Sequence, residues 1–282
     1  MKRDRYVATN RFAVRDGKEA KFEKRWATRK SRLATLQGFK YFHLMRRVKL
    51  NENENDGDED TYSYDGGNDK ESAQGNYVSL TIWEKKSDFS VWRKGDAFKE
   101  AHGGTSIKAF VSTMVNSALV LRGAPKPAFY DGLLLQSTKP DSVPETIDGW
   151  RNIEIPEDST TLLPIECFVA CNQFFVSGKE NAIKFEQRWK VRESKLKDCD
   201  GFVSFTMLRR DGQAKGHGTV ELDENVEPTY LSTTIWKDRS SFNKWRNGNA
   251  FSKSHGGPPM WNRPPKPIFY EGTLVITSAD GA

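Results

Sequence analysis

Two stretches of this chain read as copies of one another, and no other feature constrains the fold as strongly. Thr9-Asn10-Arg11-Phe12, followed by Phe22-Glu23-Lys24-Arg25-Trp26-Ala27-Thr28-Arg29, is matched by Cys171-Asn172-Gln173-Phe174, followed by Phe185-Glu186-Gln187-Arg188-Trp189-Lys190-Val191-Arg192. In the same order come Gly38-Phe39 and Gly201-Phe202, Arg46-Arg47 and Arg209-Arg210, and Thr81-Ile82-Trp83 and Thr234-Ile235-Trp236. Phe89 and Trp92 match Phe242 and Trp245, His102-Gly103-Gly104 matches His255-Gly256-Gly257, and Pro125-Lys126-Pro127 matches Pro265-Lys266-Pro267. An order kept throughout is that of a tandem duplication.

Each copy reads as strand, helix, strand, strand, short helices, strand, an α+β unit with a mostly antiparallel sheet. Alternation puts Tyr6, Ala8, Asn10, Phe12 and Val14 on one face of the first strand, and Phe168, Ala170, Asn172, Phe174 and Val176 on one face of its counterpart. Asp16-x-x-Glu19 and Ser177-x-x-Glu180 have the capping-box spacing that opens a helix. Phe22, Trp26 and Leu33, and likewise Phe185, Trp189 and Leu196, form its apolar stripe. Gly38 and Gly201 are expected to stop it. A second helical stretch is expected over Asp88–Ala101, broken near Gly95, with its equivalent over Ser240–Ser254. The first repeat thus occupies 1–137, a Pro-containing linker 138–164 and the second repeat 165–282. Residues 51–75, rich in Asn, Asp, Glu and Gly, are expected to be a disordered loop. A four-stranded sheet covered by helices on one face needs a partner on the other. Two fused copies can therefore pack sheet to sheet inside one chain, a monomer with an internal pseudo-dimer.

With 12% aromatic and 29% charged residues, the chain has the make-up of a folded protein. No run approaches the ~20 apolar residues of a membrane span. Cys167, Cys171 and Cys199 are odd in number and without a spaced pattern, which argues for a reducing, intracellular compartment and against a disulfide scaffold. The net charge of +6 fits either a solvated basic surface or an anionic partner. No helix-turn-helix, RNP, KH or zinc-finger pattern points to nucleic acid.

Of four histidines, only His102 and His255 recur between copies, each ten residues after a matched tryptophan and just before Gly-Gly. Each is either a helix-end residue or a ligand for iron or another transition metal. Asn10 and Asn172 interrupt an apolar strand face, where an unpaired amide would cost roughly 1–3 kcal/mol, so each needs a backbone or ligand partner. Trp26, Trp83, Trp189 and Trp236 fit core positions, whereas Trp92 and Trp245 fit either core or site. Arg25 and Arg29, like Arg188 and Arg192, stand at i and i+4, either as a solvated face or as a clamp for two carboxylates. No phosphate loop, GxSxG motif or repeated Cys/His pair is present.

This Asn/Trp/His set, with the Arg pair, resembles the antibiotic-biosynthesis-monooxygenase (ABM) type of dimeric α+β barrel, and within it the IsdG-type heme-degrading branch. The resemblance implies that His102 and His255 are axial ligands of heme iron and that Asn10 and Asn172 hydrogen-bond the oxygen species held there. It implies that Trp92 and Trp245 press on the porphyrin and ruffle it, and that Arg25, Arg29, Arg188 and Arg192 lie near the propionates. The implied activity is heme oxygenase-type cleavage of the porphyrin, with heme as substrate and cofactor, using O2 and electrons from an external donor such as a reductase and releasing iron. Two other readings stay open, a cofactor-independent monooxygenase acting on an aromatic quinol and a non-enzymatic heme carrier. The copies differ after the histidine, with 28 residues from His102 to Tyr130 but 15 from His255 to Tyr270, where the segment is Pro-rich. With Ile107–Leu121 as an apolar wall, the first pocket is expected to be the more competent. The two-copy form resembles algal members, which leaves cytoplasm or plastid as the location.

Overall fold

The computed structural model describes residues 1, 3–29, 32–48, 75–101, 115, 117–137, 155–158, 160–192, 194–212, 227–248, 251, 261 and 263–278. In chain order the elements are β1 (Arg5–Phe12), α1 (Glu19–Ala27), β2 (Phe39–Val48), β3 (Tyr77–Trp83), α2 (Lys86–Lys94), α3 (Asp96–Ala101) and β4 (Lys126–Ser137). The order then recurs as β5 (Cys167–Phe174), α4 (Lys179–Val191), β6 (Phe202–Arg210), β7 (Tyr230–Trp236), α5 (Arg239–Arg246) and β8 (Lys266–Thr277). The order within each repeat is that of a ferredoxin-like α+β fold.

The chain divides into two compact units. One comprises Met1–Val7, Ala128–Pro144 and Glu166–Glu271 and is built on β5, β6 and β7. The other comprises Ala8–Pro127, Glu145–Ile165 and Gly272–Ala282 and is built on β2 and β3. In the first, β7 pairs antiparallel with both β5 and β6, and β4 pairs with the other edge of β6, Tyr130 lying opposite Arg210. In the second, β2 pairs antiparallel with β3 from Phe39 opposite Trp83 to Arg46 opposite Tyr77.

Equivalent residues build each core. Trp83 is fully buried, with Phe39 at 5.5 Å, Phe89 at 6.1 Å and Trp92 at 5.3 Å between ring centroids. Trp236 repeats this with Phe202 at 5.6 Å, Phe242 at 6.2 Å and Trp245 at 5.3 Å. Each first helix also buries a glutamate. Glu23 accepts hydrogen bonds from the Tyr77 hydroxyl (2.6 Å), an Arg46 guanidinium nitrogen (3.2 Å) and the Leu163 backbone N–H (2.7 Å). Glu186 accepts from the Tyr230 hydroxyl and Arg209, both at 2.9 Å. A buried carboxylate is tolerable only when its lone pairs are met in this way.

Several local expectations are corrected. The helix in each copy is shorter than its apolar stripe suggested. Leu33 and Leu196 are buried, but in 3-10 turns (Leu33–Thr35 and Leu196–Asp198) rather than on α1 and α4. Neither capping box forms, because α1 opens after Lys18 and α4 after Gly178, with no side-chain cap at either. Asp16 instead pairs with Arg122 at 2.6 Å. Gly38 and Gly201 have the positive φ expected of them, +73° and +71°, but they close the 3-10 turn before β2 and β6 rather than a helix. Val14 lies beyond β1, in an isolated bridge to Leu121. The Asp88–Ala101 stretch does break at Gly95, between α2 and α3. Residues 51–74 of the expected loop lie outside the described residues. Gly75 is buried, close against the Phe12 backbone.

Candidate ligand-binding site

The unit built on β5, β6 and β7 contains a cavity of about 390 Å³, within the range of small-molecule sites. Ala170, Asn172 and Phe174 line it from one face of β5, as the alternation predicts. From α4 and its end come Phe185, Arg188, Trp189 and Arg192, at helical spacing. Phe205 of β6 closes one side, and Phe242, Trp245 and Arg246 of α5 another. Phe251 and Trp261 complete the aromatic wall.

Among the described lining residues none is an aspartate or glutamate, while three are arginines. Arg192 stacks over the Trp189 ring at 4.5 Å, and Trp189 stacks on Phe205 at 5.7 Å. The Arg192 Nε is buried and has no hydrogen-bond partner among the described residues. Burial, together with the nearby Arg188 charge, lowers the Arg192 pKa from its ordinary value. The first copy repeats the device. Arg29 stacks over Trp26 at 4.3 Å, Trp26 stacks on Phe42 at 5.5 Å, and burial with the neighbouring Arg25 charge pulls Arg29 down to about 10.

The expected residues fall as follows. Asn172, Trp245, Arg188 and Arg192 all line the cavity. Asn10 and Asn172 are half-buried rather than buried. Trp92 sits in an aromatic cluster equivalent to that of Trp245 in the other repeat, Trp92 lying 5.0 Å from Phe98 and Trp245 5.0 Å from Phe251. Arg25 is exposed on α1, and Arg29 lies beyond the helix end, held by its stack rather than by a helical face. Trp189, read as core, is a half-buried cavity wall. His102 and His255 lie outside the described residues, as do His217 and nearly all of Ile107–Leu121 before Ser117. Among the described residues no cluster of three or more His, Cys, Asp or Glu could hold a metal ion.

Sequence reasoning missed Trp261, which stands outside the matched motifs, and Arg246, which matches Arg93 directly after the repeated tryptophan and gave its own signal there. It also missed His43, fully buried on β2, where desolvation pulls its pKa down to about 3 and keeps it neutral. Cys171, also at the cavity lining, is buried with its Sγ 3.5 Å from the Thr233 Oγ1, and burial pushes its thiol up to about 11, which disfavours the reactive thiolate.

An α+β sheet carrying an apolar, cation-edged cavity defines a class of small-ligand enzymes and binders, and comparison narrows it. The sequence profile of the antibiotic biosynthesis monooxygenase family matches residues 168–256. A heme oxygenase (staphylobilin-producing) from Staphylococcus haemolyticus (strain JCSC1435) is 30% identical over 117 residues, 42% of this chain and 91% of the relative. Two solved bacterial structures share the fold, both described as candidate monooxygenases. The one from Fusobacterium nucleatum has a TM-score of 0.54 at 12% identity, covering 98% of this chain and 96% of its own. The one from Lactobacillus acidophilus has a TM-score of 0.54 at 8% identity, covering 98% and 97%. The chain belongs to the antibiotic biosynthesis monooxygenase family, and its sequence likeness lies with the IsdG-type heme-degrading branch. No described helix is long and apolar enough to cross a membrane.

Proposed function

We propose that this protein is a heme-degrading monooxygenase that binds heme in the cavity beside α4 and α5 and opens the porphyrin with O2 and electrons from an external donor, releasing iron. One observation carries the reading above the others. Two guanidiniums, Arg188 and Arg192, line an aromatic cavity whose described lining residues include no carboxylate. Like charges brought together in a partly desolvated site disfavour one another, and an anionic ligand with two carboxylates relieves that. Heme offers two propionates on an apolar macrocycle, which is the complement of such walls.

When bound, heme supplies the iron at which O2 is activated. The chain's own groups bind and orient it. Arg188 and Arg192 hold the propionates, and the stack on Trp189 fixes the plane of one guanidinium in advance. Asn172 presents an amide to the cavity from β5, able to donate a hydrogen bond to a bound ligand. Trp245, braced by Trp236, Phe242 and Phe251, gives the macrocycle a rigid face to bend against. The aromatic lining excludes water. His255 would hold the iron, as the family resemblance implies, and Asn10, Trp92, Arg25, Arg29 and His102 would take the equivalent roles in the first repeat. The repeats, 1–137 and 165–282, would then each carry a site within a monomeric chain of a reducing compartment, cytoplasm or plastid, served by a reductase.

The test is a hemin titration followed by ascorbate in air with an iron chelator present. The expected result is a saturable Soret band that decays as iron becomes chelatable. A stable band would show a carrier instead, and no band would show that heme is not the ligand and favour a cofactor-independent monooxygenase.

A further inference from the structure

The two copies diverge most between the matched Gly-Gly and the Pro-Lys-Pro that leads into the last strand. In the first copy the described part of this segment runs along the continuation of β1. Val14 bridges Leu121, the Arg15 N–H donates to the Val120 carbonyl at 2.8 Å, and the Arg122 N–H donates to the Ala13 carbonyl at 2.7 Å. In the second copy the shorter segment brings Trp261 into the cavity wall, where it is half-buried. Its ring lies 5.8 Å from Phe174, tilted by 50°. Phe174 is itself 5.9 Å from Trp189, the ring that carries the Arg192 stack. Two residues on, the Arg263 guanidinium sits 3.4 Å from the centre of the Phe175 ring. Adjacent side chains of a strand end point to opposite sides, so Phe174 and Phe175 grip the segment at two points, and Trp261 is held in place by packing.

We infer that Trp261 is a specificity-determining wall of this cavity, a stacking surface that favours a flat tetrapyrrole over a twisted, ring-opened one. The inference rests on the reading that a tetrapyrrole occupies the cavity, and it goes beyond that reading by assigning a residue that distinguishes substrate from product. An indole face offers a large rigid area, and offset stacking needs a planar partner. A closed macrocycle can lie flat against the Trp261 ring with its carboxylates toward the Arg-bearing wall. A linear tetrapyrrole, helically twisted, keeps its carboxylates for Arg188 and Arg192 but loses the flat contact. Trp261 thereby raises the affinity for what is to be cleaved without holding what has been cleaved.

The full chain labelled with 5-fluorotryptophan gives eight tryptophans to follow by fluorine NMR, with Trp261 assigned from Trp261→Phe. Zinc protoporphyrin is the flat diamagnetic probe and biliverdin the open one. The expected result is a ring-current shift of the Trp189, Trp245 and Trp261 signals together with zinc protoporphyrin. Trp261→Ala should then weaken zinc protoporphyrin about tenfold, as loss of one aromatic stack implies, read on the Trp189 and Trp245 signals, while changing biliverdin less than about twofold. Shifts at Trp189 and Trp245 without one at Trp261, or equal losses for both probes in Trp261→Ala, would overturn this inference alone. No shift at any of the three would overturn the tetrapyrrole reading with it. Should Trp261→Ala fail to fold, the shift measured in the unsubstituted protein still decides.

Discussion

A guanidinium stacked on an indole, with its Nε buried and no hydrogen-bond partner for it among the described residues, is a costly thing to keep unless a ligand completes it. Arg192 stands in that position with Arg188 beside it on the cavity wall, and replacing both with alanine is expected to weaken hemin binding by tenfold or more, since each hydrogen bond to a charged group is worth about 1.5–3 kcal/mol. A Soret titration checks this. Glu23 is the opposite case, a buried charge fully answered. Glu23→Ala should cost about 3–5 kcal/mol by leaving Arg46 buried without its acid, seen as an earlier midpoint in denaturant unfolding. His43 gives a pH signature. Its folded pKa of about 3 lies below the unfolded value of about 6.5, so the unfolded chain takes up the proton first. The stability is full above about pH 6.5 and declines as pH falls toward 3. Unfolding measured from pH 7 to 5 should show this slope, and His43→Leu should flatten it. Hydrogen bonds from the Met1 amino group, Tyr230 and Arg209 outweigh burial and hold the Glu186 carboxyl low, so its own loss comes at more acidic pH and does not mask the effect. The repeated Asn, Trp and Arg residues were legible because two copies kept them. His43, present in one copy only, gave no signal until burial was visible.

Among the elements, caps and turns separate what periodicity can read from what it cannot. Phe22, Trp26 and Leu33 fit one helical face by spacing, and spacing cannot register that the helix has ended at Ala27 and a 3-10 turn carries the leucine. The capping-box letters at Asp16 and Ser177 failed for a related reason, since the chain takes two more residues to enter α1 and one more to enter α4. A working cap lies elsewhere. Asp238 accepts the Ser241 N–H at 2.7 Å at the start of α5, and Asp238→Ala should cost about 1 kcal/mol. Gly201 was readable as a positive-φ position, though not by which element it served. Its hydrogen side faces Ser241 so closely that a Cβ would overlap that side chain. Gly201→Ala, adding that overlap to a left-handed backbone, should cost more than the roughly 1–2 kcal/mol of the backbone alone. Thermal unfolding of the two variants compares them directly.

At the scale of the whole molecule, the duplication made the α+β class and the strand-helix order readable, because every element was seen twice. What it could not show is how segments are shared out. β4 pairs with β6, and Asp131 of β4 meets Arg209 of β6 at 2.9 Å. A fragment of residues 165–282 therefore leaves one edge of β6 unpaired and Arg209 without this acid. Such an edge is a template for another chain, so the fragment is expected to self-associate, measurable by size-exclusion chromatography, where the full chain does not. Trp261 was equally out of reach, since its role depends on a segment that the first copy replaces with a different course.

The most direct measurement of the central claim is the position of iron in crystals of the full chain grown with hemin, located by anomalous scattering. The account predicts an iron peak inside the cavity walled by Asn172, Arg188, Arg192 and Trp245. Iron bound elsewhere on the chain, with that cavity free of it, would contradict the assignment of the site.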